Sequence, residues 1–316
     1  MRDAVKDTVP RSDPAAGAGD TGTNSLAGPI DAIGRAATAE PGGAPSTVTL
    51  PRSAPLGASD RVLLVEDNPV NQRVTVAMLE NLGFCVDVVD NGVEAVIAAT
   101  MVPYRAILMD CQIPVLNGYD TTAEIRGQLG TSRGSPIIAV TATATELDRK
   151  RCLAAGMDGI LAKPLSIESL AEGLARWAPL PRPSVLDDES SPHDMPSGSD
   201  RPVLDAKVVR RLERLGTEAG EDLMEQLTVL FLAEADIRIL ALGDALARRD
   251  GPAVIDQAHT LGGASANVGA SNLARFCAQL STAGTAGDLA SANTLLQSVE
   301  AELQRVRSAL LSSRPS

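Results

Sequence analysis

The 316-residue sequence is poor in aromatic residues, which make up 2% of it, so its hydrophobic cores must be built from Leu, Val, Ile and Ala. It also lacks an excess of positive charge, because 28 Lys and Arg stand against 40 Asp and Glu and give a net charge of −12. Phosphate backbones and anionic lipid headgroups repel such a chain. We therefore expect no nucleic-acid partner and no attraction to anionic membrane surfaces.

Long apolar runs and closely spaced cysteines are missing as well. No stretch of about 18 apolar residues is present, so no transmembrane helix is expected. The N-terminus lacks the basic start and apolar stretch of a secretory signal. The four cysteines lie far apart without a Cys-x-x-Cys pair, which favours a reducing compartment over a disulfide framework. These absences predict a cytoplasmic protein without membrane insertion.

Composition divides the chain into four segments. Residues 1–59 hold too few large apolar side chains to offset the entropy of ordering, so we predict that they are disordered. Residues 60–178 alternate five apolar strands with five helices, which predicts an α/β fold with a doubly wound five-stranded parallel sheet. Residues 179–202 are rich in proline and serine and predict a solvated linker. Residues 203–312 show only helical periodicity, which predicts an all-α four-helix bundle with a short leading helix.

Polar residues follow four of the predicted strands, at the point where each strand ends. They are Glu66 and Asp67 after the first strand, Asp110 after the third, Thr141 after the fourth and Lys163 after the fifth. Because the carboxyl ends of parallel strands share one edge of a sheet, these side chains should converge. Three carboxylates repel one another unless a hard cation joins them, and such a cation also accepts phosphate oxygens. The set therefore favours a divalent metal and a phosphoryl group.

This segment resembles the receiver domain of response regulators and hybrid histidine kinases, which has a flavodoxin-like fold. The likeness is carried by Val-Leu-Leu-Val-Glu-Asp-Asn (62–68), Leu-Met-Asp-Cys-Gln-Ile-Pro-Val-Leu-Asn-Gly-Tyr (108–119), Val-Thr-Ala (140–142) and Leu-Ala-Lys-Pro (161–164). The resemblance implies that the Asp110 carboxylate is the nucleophile that accepts the phosphoryl group, giving an acyl phosphate.

The resemblance also assigns roles to the neighbouring residues. Thr141 and Lys163 would contact the phosphoryl oxygens and help to neutralise their charge. The implied ligands of Mg²⁺ are Glu66, Asp67, Asp110 and the backbone carbonyl of Gln112. One departure is Ile160, which stands where many receivers carry an aromatic residue whose rotamer reports phosphorylation. We therefore expect phosphotransfer without the usual output switch.

A single histidine, His259, stands on the predicted helix over residues 254–268, at the margin of its apolar stripe. Gly262 and Gly263 share its face, although glycine inside a helix costs about 1 kcal/mol relative to alanine. A helix that contains both glycines favours a close approach of another protein's active-site edge. Further breaks in the helical pattern are predicted at Gly216, at Asp250-Gly251 and at Gly284–Gly287.

The motif Ala-His-Thr-Leu-Gly-Gly-Ala-Ser-Ala-Asn-Val-Gly (258–269) resembles the histidine-containing phosphotransfer (HPt) family. The resemblance implies that His259 is a second phosphoacceptor, and a neutral imidazole is available near pH 7. The family commonly has a lysine where this chain has Gly262. Since that lysine helps to neutralise the phosphoryl group, we expect a less stable phosphohistidine or slower transfer.

The two resemblances together predict a phosphorelay intermediate of a two-component system, similar to the C-terminal half of a hybrid sensor histidine kinase. A sensor histidine kinase would phosphorylate Asp110, and His259 would exchange the group with a downstream receiver domain. The direction of flow stays open, as does the choice between transfer within one chain and transfer between copies. The sequence shows no Walker-type loop and no span for an ATP-binding kinase domain, so we predict a phosphotransfer protein and not an enzyme.

Two alternatives remain at this stage. One is a non-catalytic binding module with a vestigial receiver, which Ile160 and Gly262 favour mildly and the intact acidic set opposes. The other is a phosphatase that uses an aspartyl-phosphate intermediate. Such enzymes often carry a second acid two residues after the nucleophile, where this chain has Gln112. Labelling by acetyl phosphate in the presence of Mg²⁺ separates an active receiver from a vestigial one.

Overall fold

The computed structural model describes residues 60–142, 145–177 and 202–312. The segment 1–59, predicted to be disordered, and the predicted linker apart from its last residue lie outside the described residues. Within them, no helix is both long and apolar enough to cross a membrane. All four cysteines are free.

The first folded part is a sheet of five parallel strands in the order β2-β1-β3-β4-β5. The strands are β1 (Arg61–Val65), β2 (Cys85–Val89), β3 (Ala106–Asp110), β4 (Ile137–Thr141) and β5 (Gly159–Ala162). The helices that alternate with them are α1 (Pro69–Asn81), α2 (Gly92–Met101), α3 (Gly118–Gly127), α4 (Glu146–Ala155) and α5 (Ile167–Ala175). The strand order reverses between β1 and β3, which confirms the predicted doubly wound architecture.

Side-chain caps fix where the helices of this part begin. Asn68, Asn91 and Asn117 accept hydrogen bonds from the first-turn N–H groups of α1, α2 and α3. Thr145 and Ser166 begin α4 and α5 with capping boxes. Each cap satisfies backbone donors that have no partner inside the helix. Because Asn68 follows the acidic pair directly, the cap of α1 also fixes the loop that carries this pair.

The sheet is buried on both faces, since successive residues of a strand point to opposite sides. In β1, Val62 and Leu64 belong to one apolar cluster, whereas Leu63 and Val65 belong to the other. These four side chains are at most 2% exposed. Helices cover both faces, so the carboxyl edge of the strands is where polar side chains can meet a ligand.

The second folded part contains five helices and no strand within residues 202–312. They are α6 (Ala206–Ala219), α7 (Leu223–Ala247), α8 (Gly251–Asn267), α9 (Ser271–Ala286) and α10 (Leu289–Ser312). Helix α8 packs against α7 and α9, and α10 packs against α7 and α9. Its core consists of side chains such as Leu227, Phe231, Leu261 and Leu303. A four-helix bundle with a leading helix is therefore confirmed.

Two of the helix ends differ from the prediction. The break predicted at Gly216 is wrong, because Gly216 is buried inside α6 and the helix ends at Gly220, where φ is 70°. A Cβ on Gly216 would lie 2.7 Å from the Glu221 carbonyl oxygen, so this glycine serves the close turn that follows. An unpredicted break separates α8 from α9 at Gly269, where φ is 83°. Positive φ favours glycine at both breaks.

The bundle packs on α1 of the sheet part through α6, α7 and α8. Val70 and Val74 of α1 belong to the same buried apolar cluster as Leu212, Leu215 and Leu227 of the bundle. Helix α1 begins directly after the acidic pair. The bundle is therefore held beside the carboxyl edge of the sheet.

Candidate functional site

Three carboxylates meet at the carboxyl edge of β1 and β3. Glu66, Asp67 and Asp110 each offer an oxygen, and these oxygens all lie within 4.8 Å of one another. Glu66 and Asp110 are each only 4% exposed. The β1–β3 pair is where the strand order reverses, which is the expected ligand site of such a sheet. Oxygen ligands at this spacing fit a hard divalent cation.

An ammonium group lies between two of these carboxylates. Lys163 Nζ is 2.6 Å from Glu66 Oε2 and 2.6 Å from Asp110 Oδ2. The backbone N–H of Lys163 donates to the Thr141 carbonyl oxygen at 2.7 Å. Thr141 ends β4, so β4 and β5 bring their ends to this edge together. The backbone N–H of Gln112 donates to Asp110 Oδ1 at 2.9 Å and fixes the orientation of that carboxylate.

Burial and mutual repulsion alter the ionisation of this cluster. Burial raises the pKa of Glu66 to about 7, with Lys163 opposing and Asp110 adding to the shift. Burial and the Asp110 charge raise the pKa of Asp67 to about 6. Burial alone would lower the pKa of Lys163, but the Glu66 and Asp110 carboxylates outweigh it and raise that pKa. The three carboxylates thus outnumber the single Lys163 ammonium, and a bound cation would supply the further positive charge.

The imidazole of His259 lies at the same place. A cavity of about 350 Å³ is lined by Glu66, Asp67, Asp110 and Lys163 from one part, and by His259, Gly263 and Asn267 from the other. Burial lowers the pKa of His259, and the Lys163 charge lowers it further while Asp110 opposes this. The neutral, nucleophilic form of the imidazole is thus favoured. The two side chains predicted separately as phosphoacceptors line one cavity.

The two glycines after His259 have different neighbours. A Cβ on Gly263 would lie 3.5 Å from Asn71 Nδ2 of α1, which is an ordinary contact distance, so α1 lies beside this glycine but does not require it. A Cβ on Gly262 would lie 3.2 Å from Cys277 Cβ of α9. Gly262 therefore allows close packing inside the bundle, which differs from the approach predicted for both glycines.

A pair of amides that the sequence analysis missed connects the two parts. Asn71 Nδ2 donates to Glu66 Oε1 at 2.8 Å, and Asn267 Nδ2 donates to Asn71 Oδ1 at 2.8 Å. Both asparagines are buried. Asn71 lies one turn after the acidic loop, which is a weak sequence signal. Asn267 lies two turns after His259 and had no signal beyond its place in the motif.

A second polar link runs from the acidic loop to α7. Asn68 Nδ2 donates to Glu234 Oε1 at 3.5 Å, and Arg238 Nε donates to the same oxygen at 2.6 Å. Arg238 also donates to Gln257 Oε1 at 2.9 Å, two residues before His259. Its positive charge lowers the pKa of Asp67, although burial outweighs this effect. The bundle thus brings a guanidinium near the acidic cluster.

Ile160 lies away from this cavity. It is partly buried in β5 and packs against the apolar cluster that contains Met109 and Ile137. An aliphatic side chain can fill this position, but it has no ring or hydroxyl for the switch described for many receivers.

Comparison with known families gives two matches. The model of the response regulator receiver domain matches residues 62–175, and the model of the Hpt domain matches residues 226–309. Both matches fall on the parts that supply the cavity.

Comparison with curated and solved proteins gives the following likenesses. The chain is 33% identical over 227 residues to the sensor histidine kinase GacS of Pseudomonas protegens, a match that covers 70% of this chain and 24% of that protein. It is 30% identical over 223 residues to the signal transduction histidine-protein kinase BarA of Shigella flexneri, covering 68% and 23%. The chain thus spans about a quarter of the length of these relatives. It is also 52% identical to the crystallised receiver domain of sensor histidine kinase PA1611 from Pseudomonas aeruginosa, with a TM-score of 0.36, covering 38% of this chain and 98% of that one.

Proposed function

Since residues 62–175 belong to the response regulator receiver family and residues 226–309 to the Hpt family, we propose that this chain is a phosphorelay intermediate of two-component signalling. Asp110 accepts the phosphoryl group and His259 exchanges it. The observation that carries the proposal is the shared cavity, which both side chains line. Because the receiver and the HPt bundle pack together in one chain, we propose that exchange takes place within the chain.

The acidic cluster fits Mg²⁺, and we propose that Glu66, Asp67 and Asp110 hold it, with the backbone carbonyl of Gln112 as a further ligand. When bound, Mg²⁺ supplies positive charge to the phosphoryl oxygens and relieves the repulsion among the carboxylates. Lys163 Nζ adds a second positive charge beside Asp110. These groups hold the reactants in line, which is most of what phosphoryl transfer requires.

The chain's own residues perform two displacements. In the first, an Asp110 carboxylate oxygen forms the bond to phosphorus while the bond from phosphorus to the donor group breaks. In the second, a neutral His259 nitrogen forms a bond to phosphorus and the bond to Asp110 breaks, which returns a carboxylate to Lys163. The proton of the attacking imidazole stays on its other nitrogen. We assign to Thr141 a hydrogen bond to a phosphoryl oxygen during both steps.

The partners of this function follow from the two acceptors. We propose that a sensor histidine kinase supplies the phosphoryl group and that a separate receiver domain exchanges it with His259. The chain itself then acts as a carrier between kinase and receiver. The four free thiols agree with the cytoplasm as the place of this exchange.

Radioactive acetyl phosphate with Mg²⁺ tests the assignment on the full chain. Acid should release the label from phosphohistidine and base should release it from the acyl phosphate, so treatment with each distinguishes the two species. Asp110→Asn should abolish labelling from acetyl phosphate, whereas His259→Gln should leave only the acyl phosphate. His193→Gln, which removes the other histidine, is the matched control and should change nothing. Phosphohistidine that persists in the His259→Gln variant would refute the assignment.

Dilution tests whether exchange occurs within the chain. A first-order rate of label movement from Asp110 to His259 should not change over a hundredfold range of protein concentration. The complementary mixture of Asp110→Asn and His259→Gln chains should exchange more slowly and with a second-order rate. If the full chain and the mixture of the two variants exchanged label equally fast at the same protein concentration, exchange within the chain would be refuted.

A further inference from the structure

Helix α7 carries apolar residues on nearly all of its sides. Its buried side packs in the core of the bundle through residues such as Leu227, Phe231 and Leu242. On the opposite side, Ile237 is 59% exposed and Leu240 is 73% exposed. A helix that is apolar all round is normally covered on all sides. The rest of the described chain nevertheless leaves the second side of α7 open to water.

The exposed side of α7 forms a narrow seam in which steps of four and three residues alternate. We name the following residues the outer seam: Gln226, Leu230, Ala233, Ile237, Leu240 and Asp244. They all lie within about 80° around the helix axis, at 100° per residue. This spacing is that of a coiled coil, in which a period of 3.5 residues keeps one narrow stripe against a partner helix.

The apolar surface extends beyond the outer seam. Val229 flanks the seam and is 56% exposed. Arg307 of α10 pairs with Asp236 at the edge of the seam and neutralises it. Leu311, one turn further along α10, is 47% exposed. A contiguous exposed apolar surface of this kind marks an interaction site. The exposed side of α6 is charged instead, with Arg210, Glu213 and Arg214.

The outer seam is complementary to itself when two copies of α7 run antiparallel. The two-fold axis then passes the helix at the level of Ala235. Ala233 faces Ile237 of the second copy, so a small side chain meets a large one. Leu230 faces Leu240 of the second copy. Parallel pairing would set Ala233 against Ala233 and leave a gap, which weakens packing.

The polar residues of α7 fit the same antiparallel orientation. Gln226 faces Asp244 of the second copy, so an amide that can donate meets the carboxylate. Asp222, which caps the start of α7, faces Arg248 at the end of α7 in the second copy. Parallel pairing would instead bring Asp244 against Asp244. The opposite charges at both ends favour a second copy of this chain as the occupant of the seam.

We propose that two copies of this chain associate through the outer seam, with α7 packed against α7 in antiparallel orientation. The receiver, α8 and α9 line the cavity that Asp110 and His259 share. The interface on α7 therefore uses other residues, and one dimer holds two complete exchange sites. The inference does not rest on the proposed function, because self-association requires no phosphoryl group.

Analytical ultracentrifugation of the full chain provides the first test. A single chain has a mass of 32.7 kDa, and we expect the measured mass to approach twice that value as the protein concentration rises. Ile237→Glu should raise the Kd of self-association more than about a hundredfold, because the symmetric substitution removes apolar contact and buries a charge twice. Circular dichroism should show unchanged helix content, since Ile237 is exposed in the single chain. A mass of 32.7 kDa at every concentration would show that two copies do not cover this face.

Ile97→Glu is the matched control. It makes the same substitution on α2 of the receiver, where Ile97 is 54% exposed. Since α2 lies outside the proposed interface, this variant should associate with an unchanged Kd. Equal weakening by Ile97→Glu and Ile237→Glu would show that the effect is a general one of added negative charge, and the inference would be wrong.

Two variants with complementary charges test the antiparallel register. Ala233→Lys alone should weaken self-association, because its ammonium would face Ile237 of the second copy. A mixture of Ala233→Lys chains and Ile237→Glu chains should associate again. Each mixed dimer then has one contact between opposite charges and one unchanged contact. In parallel pairing the two new charges would lie about one helical turn apart. If the mixture stays monomeric, the inference is wrong.

Discussion

Replacing Asn71 by alanine should weaken the coupling between the acidic cluster and the bundle. Asn71 donates to Glu66 and accepts from Asn267, both at 2.8 Å and both in buried surroundings. Asn71→Ala removes a hydrogen bond to a carboxylate and leaves the buried Asn267 amide without this acceptor. A hydrogen bond to a charged group contributes about 1.5–3 kcal/mol, and an unsatisfied buried group costs about 1–3 kcal/mol.

The loss of the acceptor for Asn267 destabilises only the state in which the bundle is docked on the receiver. Taking about 1–2 kcal/mol for it, the docked population and the rate of exchange within the chain should fall roughly 5-fold to 30-fold. Labelling of Asp110 by acetyl phosphate needs no docking and should change much less. The assay is therefore the ratio of phosphohistidine formation to acyl phosphate formation in the same sample.

A double-mutant cycle gives the control for this prediction. Asn267→Ala alone removes the partner amide, and the double variant removes both groups. If the two amides act through each other, the effects should be non-additive by about 0.5–1.5 kcal/mol in transition-state free energy. Additive effects, or an equal loss of both labels in Asn71→Ala, would refute the docking role of this pair.

Three other perturbations test the site. Asp67→Asn should raise the free energy of unfolding by about 1–2 kcal/mol at pH 8 without Mg²⁺, because a carboxyl whose pKa is raised to about 6 destabilises the fold once it ionises. Urea titrations should show this gain in stability shrink as the pH falls from about 6 to about 4, and the gain should also be smaller when Mg²⁺ is added. The affinity for Mg²⁺ should fall as the pH is lowered from 8 to 6, because protons compete with the metal for Glu66 near its pKa of about 7. Calorimetry in buffers of different ionisation enthalpy should show that Mg²⁺ binding releases protons. An affinity that does not depend on pH would contradict this prediction. Gly263→Leu should block exchange within the chain and leave acyl phosphate formation intact, because its side chain would extend from a Cβ 3.5 Å from Asn71; unchanged phosphohistidine formation would contradict the described approach.

The sequence could predict the acidic cluster because one rule controls its assembly. Once the strands are parallel and doubly wound, the residues after β1, β3 and β5 must share an edge, whatever the details of packing. Glu66, Asp110 and Lys163 meet for this reason. The predicted roles of the cluster in metal binding and phosphoryl transfer remain to be measured.

Docking of the bundle could not be predicted, because it depends on contacts between distant residues. Asn71 and Asn267 are 196 positions apart, and neither carries a pattern that points to the other. The break expected at Gly216 was wrong for a related reason. That glycine allows the chain to turn tightly behind α6, and a local pattern cannot distinguish this from a helix end.

The apolar cluster that runs from α1 into the bundle has a consequence for cooperativity. Val74 and Leu215 lose their contact with water in one shared interior, so neither part can melt without exposing apolar surface of the other. Heat or urea should therefore unfold receiver and bundle in a single transition. A cut between the two parts would expose the apolar side chains of α1 on the receiver fragment, so this fragment should self-associate through α1.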